Sequence, residues 1–457
     1  MNALIIAAIL GVVMMFSSFL LKSKASVRSV GIAGMALLLV VNTMEMCGWH
    51  FFNIDTMDML HFDRFALLFD SVIFASTLLY LVLSARDMEK VGVNYAEYFA
   101  LIFFILCGVS LTSSFRSLMM LFLGIEIISI PLYILTGSDK RNLKSNEASL
   151  KYFLLGSFST GLMLMGIAMI YGSAGSFYNT VIQMGGAKPD TLMLCGMLLL
   201  LFAMAFKVSA APFHFWTPDV YDGAPTVFTS FMATIVKVAV FIAFMRLFDD
   251  AFGKMEKSWR MVFGIITVAT LFIGNITAVF QQSVKRMLAY SSIAQAGFMM
   301  MALFSMNADA KEGLLLYSAA YCLATIGIFA VLIKMDDYTF DGFNGFARKE
   351  PLLAATTTIF LLSLAGIPLT AGFLSKFYML KAALLEGGNL WLVIVAILMA
   401  AVSVYYYFRV IQAMYFKEGE PGTVSVTPVF RWTLVLLAAL VILLGVYPDL
   451  LTSLMYF

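Results

Sequence analysis

The feature that most constrains this chain is a series of apolar runs, each about twenty residues long. A hydrocarbon core about 30 Å thick requires about 20 residues of helix to cross it, and such runs recur from the first residues to the last. Hydrophobic residues make up 62% of the 457 residues and charged residues only 12%, which is far from the balance of a soluble domain. The sequence therefore predicts an all-α polytopic membrane protein, and nothing in it suggests binding to nucleic acid.

By this measure the chain has about fourteen transmembrane helices, two of them broken. The predicted spans lie near residues 2–21, 29–48, 62–84, 96–113, 116–135, 148–171, 191–222, 226–248, 259–280, 286–305, 313–334, 352–386, 390–415 and 431–455. The segments 191–222 and 352–386 are too long for one straight span, and they contain Pro212 and Pro368. Proline removes a helical hydrogen bond and clashes with the preceding turn, so we expect a break in each.

The order of the spans indicates an internal repeat. Spans 4–8 and spans 9–13 are each five helices, and in each set the fourth helix is broken and carries a lysine, Lys207 or Lys376. Because five is odd, the two sets would start on opposite sides of the membrane, as in an inverted repeat with an ion site near the midplane. The predicted parts are N-terminal helices 1–3 (1–95), a first five-helix repeat (96–248), a second five-helix repeat (249–415) and C-terminal helix 14 (416–457).

The distribution of basic residues predicts the orientation. Most lysines and arginines outside the spans fall on inner loops if both termini lie outside, as the positive-inside rule requires; the loop between Arg246 and Arg260 is the exception. The first apolar run has no basic segment before it and ends at Lys22 and Lys24. We therefore expect a retained first span rather than a cleaved signal peptide.

Metal and redox centres are not expected within this chain. Cys47, Cys107, Cys195 and Cys322 are isolated within apolar runs, and we expect them to be small buried apolar residues rather than ligands or disulfides. With only three histidines, a haem, iron–sulfur or zinc site is not expected. The longest connections, 172–190 and 335–351, are too short for a soluble domain, so any redox chemistry is expected elsewhere.

Four ionisable residues lie well inside apolar spans: Glu126, Lys207, Lys237 and Lys376. On insertion scales a lysine at the centre of a membrane helix is unfavourable by roughly 2.5–3.5 kcal/mol, so such residues usually face the bundle interior and mark ion pathways. The alternative is a structural role: a protonated, hydrogen-bonded carboxyl at Glu126, a lysine at 207 that reaches a surface, and lysines at 237 and 376 that only pack.

Three further features lie near these residues. Pro212 follows Lys207 and is expected to leave the carbonyl of Val208 without its helical hydrogen-bond partner. Free backbone groups at membrane depth are tolerated where they are buried in protein or line water. His214, two residues after the proline, is placed to pass protons, or it is a structural histidine near the membrane surface. Lys151, at the start of span 6, could belong to the same pathway or could reach the interface.

These residues suggest a proton relay. Desolvation favours the neutral form of a buried lysine, and a nearby carboxylate favours the charged form. Pairing of Glu126 with Lys207 would hold a proton, and their separation would let desolvation expel it. Protons would then pass along Lys207, His214, Lys237 and polar groups toward Lys376.

Several motifs resemble those of the antiporter-like membrane subunits of respiratory complex I. The broken segment FKVSAAPFHFWTPDVYDGAPT is the most specific of them, and MLAYSSIAQAGFM, LLSLAGIPLTAGFLSKFYMLKAAL and SLKYFLLGSFSTGLMLMGIAMIYG are also similar to the family. The resemblance extends over nearly the whole chain. The main alternative is a subunit of a multisubunit sodium/proton antiporter, and the TPDVYDGAP portion favours complex I. A scaffold without transport activity would leave the four ionisable residues unexplained.

The resemblance implies a function, a site and a setting. It implies a non-redox, proton-translocating subunit of an NADH:quinone oxidoreductase, driven by quinone reduction in other subunits. By motif position it places the family's pumping residues at Glu126, Lys151, Lys207, His214, Lys237 and Lys376. It implies no cofactor in this chain, with FMN, iron–sulfur clusters and quinone in partner subunits. It also implies lipids and two sister antiporter-like subunits as partners, in the bacterial cytoplasmic membrane with both termini periplasmic.

Two positions depart from the family's pattern, and two further features bear on which sister subunit this is. Gln295 stands where the family often has histidine, and because glutamine cannot titrate, a relay there would need water. Val227 replaces a second proline after the GAP sequence. Lys376 argues against the sister that usually has glutamate there, and the expected end at span 14 argues against the sister with a long C-terminal lateral helix.

Overall fold

The structure, a computed structural model, describes residues 1–21, 23–185, 188–385, 389–423 and 426–455. Lys22, expected among the inner basic residues, and residue 386, the predicted end of a span, lie outside these ranges.

The described residues form helices and no β-strand. In chain order the α-helices are α1 Asn2–Leu20, α2 Lys24–Met46, α3 Arg64–Val91, α4 Tyr95–Ser114, α5 Leu118–Thr136, α6 Leu143–Ala174, α7 Asn179–Met184, α8 Thr191–Lys207, α9 Trp216–Gly223, α10 Thr226–Phe231, α11 Lys237–Asp250, α12 Glu256–Val279, α13 Val284–Ser305, α14 Ala308–Leu332, α15 Phe346–Lys349, α16 Pro351–Ala365, α17 Ala371–Leu385, α18 Leu390–Phe416, α19 Pro428–Val446 and α20 Asp449–Thr452.

Four short helices of other types complete the list: a π-helical turn at Met232–Val236 and 3₁₀ turns at Gly253–Met255, Asp341–Phe343 and Ser453–Met455. The π turn joins α10 to α11, so that residues Thr226–Asp250 form one apolar helix of 25 residues.

The chain is a multi-pass membrane protein, as predicted. Among the described residues, twelve helices are long and apolar enough to cross a membrane, and each of the twelve unbroken predicted spans overlaps one of them. The two predicted broken spans correspond to the pairs α8/α9 and α16/α17; the total of fourteen, which needs each pair to cross, stays a prediction. The last span was predicted to reach residue 455, but α19 ends at Val446 because Pro448 cannot continue the helix.

The two predicted repeats contain their elements in the same order. Residues 96–248 contain α4, α5, α6, the α8/α9 pair and the α10–α11 helix, and residues 249–415 contain α12, α13, α14, the α16/α17 pair and α18. Their relation by inversion stays a prediction. At the centre lie the α10–α11 helix and α14, whose most apolar windows are 100% buried, against 28% for α1 and α19 at the edge.

Close contact between α6 and α8 depends on glycine. A Cβ atom at Gly166 would lie 2.8 Å from the carbonyl oxygen of Gly196, and a Cβ at Gly196 would lie 2.8 Å from that of Gly166. Small residues of this kind let membrane helices approach closely. This contact holds α8, which ends in Lys207, against the helix that carries Thr160 and Lys151.

Both helix breaks occur earlier than the prolines predicted, and for a different reason. α8 ends at Lys207, where Ser209 adopts a left-handed conformation (φ +65) and the Ala210 N–H donates to the Ala205 carbonyl at 2.8 Å. This is a Schellman motif, which terminates a helix by itself. The expected freeing of the Val208 carbonyl by Pro212 is therefore wrong, because Val208 already lies outside the helix.

The second break has the same geometry. α16 ends at Ala365, Gly366 has φ +85, and the Ile367 N–H donates to the Leu362 carbonyl at 3.0 Å. Glycine is the usual residue at the left-handed position of a Schellman motif. Pro368 therefore follows a break that Gly366 has already made.

The cysteines differ from the expectation in two cases. Cys107 and Cys322 are buried, as predicted, whereas Cys47 and Cys195 are exposed. Cys47 directly follows the last residue of α2, and Cys195 lies on the outward face of α8. An apolar run in a membrane protein can face lipid as well as the core, so apolar neighbours did not guarantee burial in the protein.

Candidate functional site

Lys207 is the last residue of α8 and joins three helices through a polar cluster. Its Nζ donates to Ser129 Oγ of α5 at 2.9 Å. Glu126, one turn before Ser129, accepts a hydrogen bond from Thr160 Oγ1 of α6 at 2.8 Å. Glu126 acts on Lys207 electrostatically, but their side chains form no ion pair, so the predicted pairing is indirect in this structure.

The position of Lys207 at a helix end suits a cation. The C-terminus of a helix carries a partial negative charge from its unpaired carbonyl groups. One of these, the Phe206 carbonyl, accepts a hydrogen bond from Trp216 Nε1 at 3.0 Å, and the Trp216 ring stacks on Tyr152 at 4.7 Å. These contacts fix α9 against the end of α8, so that Lys207 lies at a rigid break.

His214 lies in the turn between α8 and α9 and is buried, with 6% exposure. Its ring stacks against Phe215 at 4.8 Å. Within the described residues its Nδ1 has no hydrogen-bond partner, and the ring makes no hydrogen bond to Lys207 or Lys237. Buried polar atoms are normally satisfied by protein or by ordered water, so this nitrogen suits contact with water.

Lys237 begins α11 directly after the π turn and is 2% exposed. Its Nζ donates to the carbonyl oxygen and to Oγ of Ser292 in α13, at 2.9 and 3.0 Å. The hydroxyls of Tyr221 and Tyr321 donate to carbonyls of the π turn, at Met232 and Ala233. Single π turns are frequent at functional sites, and this one places Lys237 opposite Ser292.

Lys376 lies in α17 and binds the end of α16 across the second break. Its Nζ donates to the Leu364 carbonyl at 2.8 Å and to the Ala365 carbonyl at 3.0 Å. The ammonium also lies 4.6 Å from the centre of the Phe298 ring, a favourable cation–π distance. Lys376 is 6% exposed, and like Lys207 it meets the negative end of a broken helix.

Gln295 connects Lys376 to two tyrosines that sequence reasoning missed. Its amide nitrogen donates to the Leu364 carbonyl, which Lys376 also binds, at 2.9 Å and to Tyr407 Oη at 3.1 Å. Its amide oxygen accepts from Tyr317 Oη. Tyr407 Oη is also bonded to Ser291 Oγ at 2.5 Å. No local sequence signal marks these tyrosines, because they come from α14 and α18.

A nearly continuous set of polar groups thus joins Lys237 to Lys376. Ser292 binds Lys237, its neighbour Ser291 binds Tyr407, and Gln295 links Tyr407 to the Leu364 carbonyl. A small cavity of about 10 Å³ beside Lys376 is lined by residues that include Gln295 and Tyr317. That volume is about the minimum that one water molecule occupies.

Lys151 lies apart from these clusters, in a network of surface charges. Its Nζ is 2.9 Å from Asp219 Oδ2 and 2.8 Å from Glu147 Oε1, and Arg286 binds the other oxygen of Asp219 at 3.0 Å. A cavity of about 160 Å³ opens beside them. The structure therefore shows no direct contact between Lys151 and Lys207.

A further buried lysine, Lys285, lies just before the predicted span 286–305. It is 4% exposed, and its Nζ donates to the carbonyls of Asp222 and Ala224 at 2.8 and 2.7 Å, at the end of α9. These contacts give Lys285 a structural role, because it satisfies backbone groups at a helix C-terminus. Its position in the first turn of α13 gave no sign of this burial.

Among the described residues, no group of three or more histidine, cysteine, aspartate or glutamate side chains could hold a metal ion. The chemistry that the site itself offers is proton binding by amines, a carboxyl, an imidazole and hydroxyls.

Comparisons with known proteins agree with this arrangement. The family model described as NADH:quinone oxidoreductase/Mrp antiporter, TM, matches residues 116–403. The NADH-quinone oxidoreductase subunit N of Cytophaga hutchinsonii is 42% identical over 463 residues, covering 99% of this chain and 98% of its own. That of Flavobacterium psychrophilum is 36% identical over 466 residues and covers 100% of both.

Solved structures show the same fold. A chain of respiratory complex I from Thermus thermophilus with bound Aureothin has a TM-score of 0.85 at 31% identity, covering 99% of this chain and 98% of its own. A chain of the Mrp complex from Dietzia sp. has a TM-score of 0.88 at 18% identity, covering 99% and 96%. At that identity the second likeness concerns the fold alone.

The helical bundle, its two broken helices and its buried lysines define an antiporter-like membrane subunit of a multisubunit membrane complex. Within that class, the chain belongs to the NADH-quinone oxidoreductase subunit N family of respiratory complex I.

Proposed function

We propose that this chain moves protons through the membrane by a relay of Glu126, Lys151, Lys207, His214, Lys237 and Lys376. The observation that carries the proposal is that Lys237 and Lys376 are 2% and 6% exposed and that neither forms an ion pair with a carboxylate of the described residues. Intramembrane ionisable residues are rare and mark ion or proton paths. Residues that only packed the core would not need this chemistry.

The contacts of the lysines suit groups that gain and lose protons. Lys237 and Lys376 are held by carbonyl and hydroxyl oxygens, and Lys207 by a serine hydroxyl. An ammonium can donate to all of these oxygens, and a neutral amine can keep one of the bonds. No carboxylate in direct contact fixes the positive charge, so a proton can leave without breaking an ion pair.

The proposed path has two parts. Between Lys237 and Lys376 it follows Ser292, Ser291, Tyr407 and Gln295 to the Leu364 carbonyl, with water in the adjoining cavity. Since Gln295 cannot titrate, the hydroxyl of Tyr407 supplies the group that can exchange a proton there. Between Lys207 and Lys237 the path needs water near His214, whose Nδ1 lacks a protein partner.

Lys151 belongs to the proposed entry of the path. Together with Asp219 and Arg286 it lines the cavity at the ends of α6, α9 and α13, where charged side chains can exchange protons with solvent. Glu126 is the proposed control element, because its carboxylate acts on Lys207 without being bonded to it.

The remaining parts of the proposal concern the setting. The energy comes from quinone reduction in partner subunits that hold FMN, iron–sulfur clusters and quinone, and two sister antiporter-like subunits are neighbours of this chain. The complex lies in the bacterial cytoplasmic membrane with both termini of this chain periplasmic. The charge distribution of the loops supports that orientation.

The test is proton pumping by the whole complex in proteoliposomes, measured as protons moved per quinone reduced. Lys376→Met removes the proton-binding group but keeps most of the side-chain volume. We expect proton transfer through this subunit to fall by roughly 10²-fold or more, the scale of a positioned proton-transfer group, and the pumped-proton ratio to fall with it. Lys376→Arg keeps the charge but does not readily lose a proton, so it should fail in the same way.

Lys254→Met is the matched control, because Lys254 is an exposed lysine in the loop before α12 and its loss should leave the ratio unchanged. An unchanged ratio in Lys376→Met would refute the relay. A pumped-proton ratio that depended on sodium in the medium would favour the sodium/proton antiporter alternative instead.

A further inference from the structure

A cavity of about 550 Å³ lies away from the proposed relay, between the ends of several helices. Its walls come from the second turn of α2, the last turns of α3, the segment after α14 and the first turn of α19. Its charged lining is Arg28, Arg86, Asp87, Lys90 and Lys334. The cavity thus combines a concentration of positive charge with a place at the ends of membrane helices.

The positive charge in this cavity exceeds the negative charge. Asp87 is shared by two lysines: Lys90 Nζ lies 2.9 Å from its Oδ1, and Lys334 is paired with its Oδ2. Arg28 Nη1 lies 2.6 Å from Oε1 of Glu89, which is not one of the lining residues. Arg86 forms no ion pair with any residue that the structure describes. Four basic side chains therefore face two carboxylates, which leaves two positive charges without a partner.

Because Lys334 is buried, the excess of positive charge in the cavity is unfavourable unless an anion is bound. Lys334 is 8% exposed and lies just past the end of α14. Burial lowers the pKa of this lysine, and Asp87 opposes that effect while Lys90 and Arg86 add to it. An anion bound in the cavity would relieve the repulsion among these cations.

The rest of the cavity wall is apolar, and part of it is exposed. Ile32, Val82, Leu83, Val426, Val429 and Phe430 complete the lining with Thr427. Val429 is 64% exposed, and Trp432, one turn further along α19, is 70% exposed. An exposed tryptophan near a helix end is typical of the membrane interface. Free phosphate gains nothing from contact with an apolar wall, whereas the acyl chains of a lipid can pack against it.

The first turn of α19 adds a second attraction for an anion. Thr427 is its N-cap, and its side chain accepts from the Phe430 N–H at 3.3 Å. The N-terminus of this 19-residue helix carries a partial positive charge, and Thr427, Val429 and Phe430 all line the cavity. The helix end and the basic side chains therefore act on the same space.

We propose that this cavity is a binding site for the headgroup of an anionic glycerophospholipid, of the phosphatidylglycerol type. Arg86 and Lys90, both exposed at the rim, bind the phosphate, Lys334 and Arg28 complete its positive surroundings, and the acyl chains pack against Ile32, Val429 and the neighbouring apolar side chains. Basic pockets between transmembrane helices bind anionic headgroups in this way. The lipid would fasten α2 and α3 to α19.

The test uses the purified complex in neutral detergent and a phosphatidylglycerol analogue with a photoreactive group near its headgroup. We expect labelling of peptides that contain Val82–Lys90 or Val426–Phe430. In the double variant Arg86→Gln/Lys90→Gln, the lipid concentration for half-maximal labelling should rise about 30-fold, the loss expected for two basic residues near an anionic headgroup. Both side chains are exposed, so the variant should fold and retain quinone reduction.

The matched control is Lys254→Gln/Lys257→Gln, which removes two exposed lysines just before and within the first turn of α12 and should leave labelling unchanged. Unlabelled phosphatidylglycerol should compete, whereas phosphatidylcholine should not. Equal labelling in the Arg86/Lys90 variant would overturn the proposal. Equal competition by inorganic phosphate would also overturn it, because the cavity would then bind a free anion. Equal competition by phosphatidylcholine would do the same, because binding would then not depend on the headgroup charge.

Discussion

At the scale of single residues, Lys207, Lys237 and Lys376 of the proposed relay share one kind of partner, unlike Lys151, which is paired with carboxylates. Each binds neutral oxygen atoms: Ser129 Oγ for Lys207, the Ser292 carbonyl and hydroxyl for Lys237, and two carbonyls for Lys376. Lys334 and Arg246 show the contrast, since both are buried and both are paired with carboxylates. Burial alone therefore does not define the relay. Lys207, Lys237 and Lys376 lack a carboxylate partner among the described residues, and unlike Lys285, which also binds only carbonyls, they lie within the predicted spans.

Tyr407→Phe tests whether the hydroxyl between Ser291 and Gln295 carries protons. The variant keeps the ring and loses the bonds to Ser291 Oγ and from Gln295. A lost hydrogen bond costs roughly 1 kcal/mol of stability, so the complex should still assemble. Proton transfer through this subunit should fall by roughly 10²-fold, measured as protons pumped per quinone reduced.

Tyr406→Phe is its control. Tyr406 is the neighbouring buried tyrosine, and its hydroxyl donates to Asn275 Oδ1 at 3.0 Å. It lies close to the hydroxyls of Tyr407 and Ser291, but the bonds from Ser291 through Tyr407 to Gln295 do not pass through it. A similar cost in stability with an unchanged pumping ratio is expected. If both variants pumped normally, Tyr407 would be a packing residue and protons would cross this region through water alone.

Gln295 shows where prediction from sequence stopped at this scale. A glutamine in place of a histidine indicated a gap that water would have to fill. The structure fills much of that gap with Tyr317 and Tyr407, which are 22 and 112 residues from Gln295 in the chain. Partners so distant leave no local pattern, whereas Lys237 and Lys376 were visible because a single charge stands out in an apolar run.

At the scale of elements, two Schellman motifs create the breaks that the relay uses. In α8 the lysine precedes the break, and in α16/α17 it follows the break and reaches back to the carbonyls of Leu364 and Ala365. In both cases the cation meets the C-terminal end of a half-helix. The two broken helices are therefore alike in their electrostatics although their lysines differ in position.

Gly366→Ala tests the second break. Gly366 has φ +85, and an added Cβ would lie 2.9 Å from Lys376 Cδ and 3.4 Å from its Nζ. The left-handed conformation costs alanine roughly 1–2 kcal/mol, and the ammonium must also move from its two carbonyls. We expect less intact complex after solubilisation and a lower pumped-proton ratio.

Gly161→Ala is the matched control, because a Cβ there would meet nothing within 4 Å. In a helix interior that change should stabilise by roughly 0.5–1 kcal/mol. Normal pumping by Gly366→Ala would mean that the exact place of the Lys376 ammonium is unimportant, which would contradict the assigned role of the break.

Element prediction succeeded where length and apolar character decide, as in α4, α5 and α14. It found a break in each long segment but took the prolines as the cause, so it missed that each helix ends a few residues earlier. Gly366, next to the end of α16, was a usable signal, since glycine favours the left-handed position of a helix end. Ser209 was not, because serine adopts that conformation only when the surrounding fold requires it.

At the scale of the whole molecule, the proposed relay and the proposed lipid site are separate. The central α10–α11 helix, α13 and α14 surround Lys237, whereas the 550 Å³ cavity lies among α2, α3 and the start of α19. The two proposals therefore make independent predictions: neutralising Arg86 and Lys90 should change lipid labelling without removing any proposed proton carrier.

The proposed orientation is testable with native Cys47, which is exposed and lies just after α2. If both termini are periplasmic, Cys47 lies on the outer side. In a Cys195→Ser background, a membrane-impermeant maleimide should label Cys47 in spheroplasts. Ser26→Cys, in the exposed first turn of α2, is the control and should react only in inverted vesicles. The reverse pattern would invert the topology.

The π turn at Met232–Val236 also limits how this gene can change. It accommodates one residue more than an α-helical turn would. Loss of a single codon there would therefore yield a regular helix that is still apolar. Because the turn already absorbs that residue, the side chains beyond it would keep their orientation and Lys237 would still face Ser292. The same loss within the regular helix α11 would rotate every side chain beyond it by about 100°. Among relatives, a single-residue deletion within 226–250 should therefore fall in the π turn Met232–Val236 and not in the regular turns of α10 or α11.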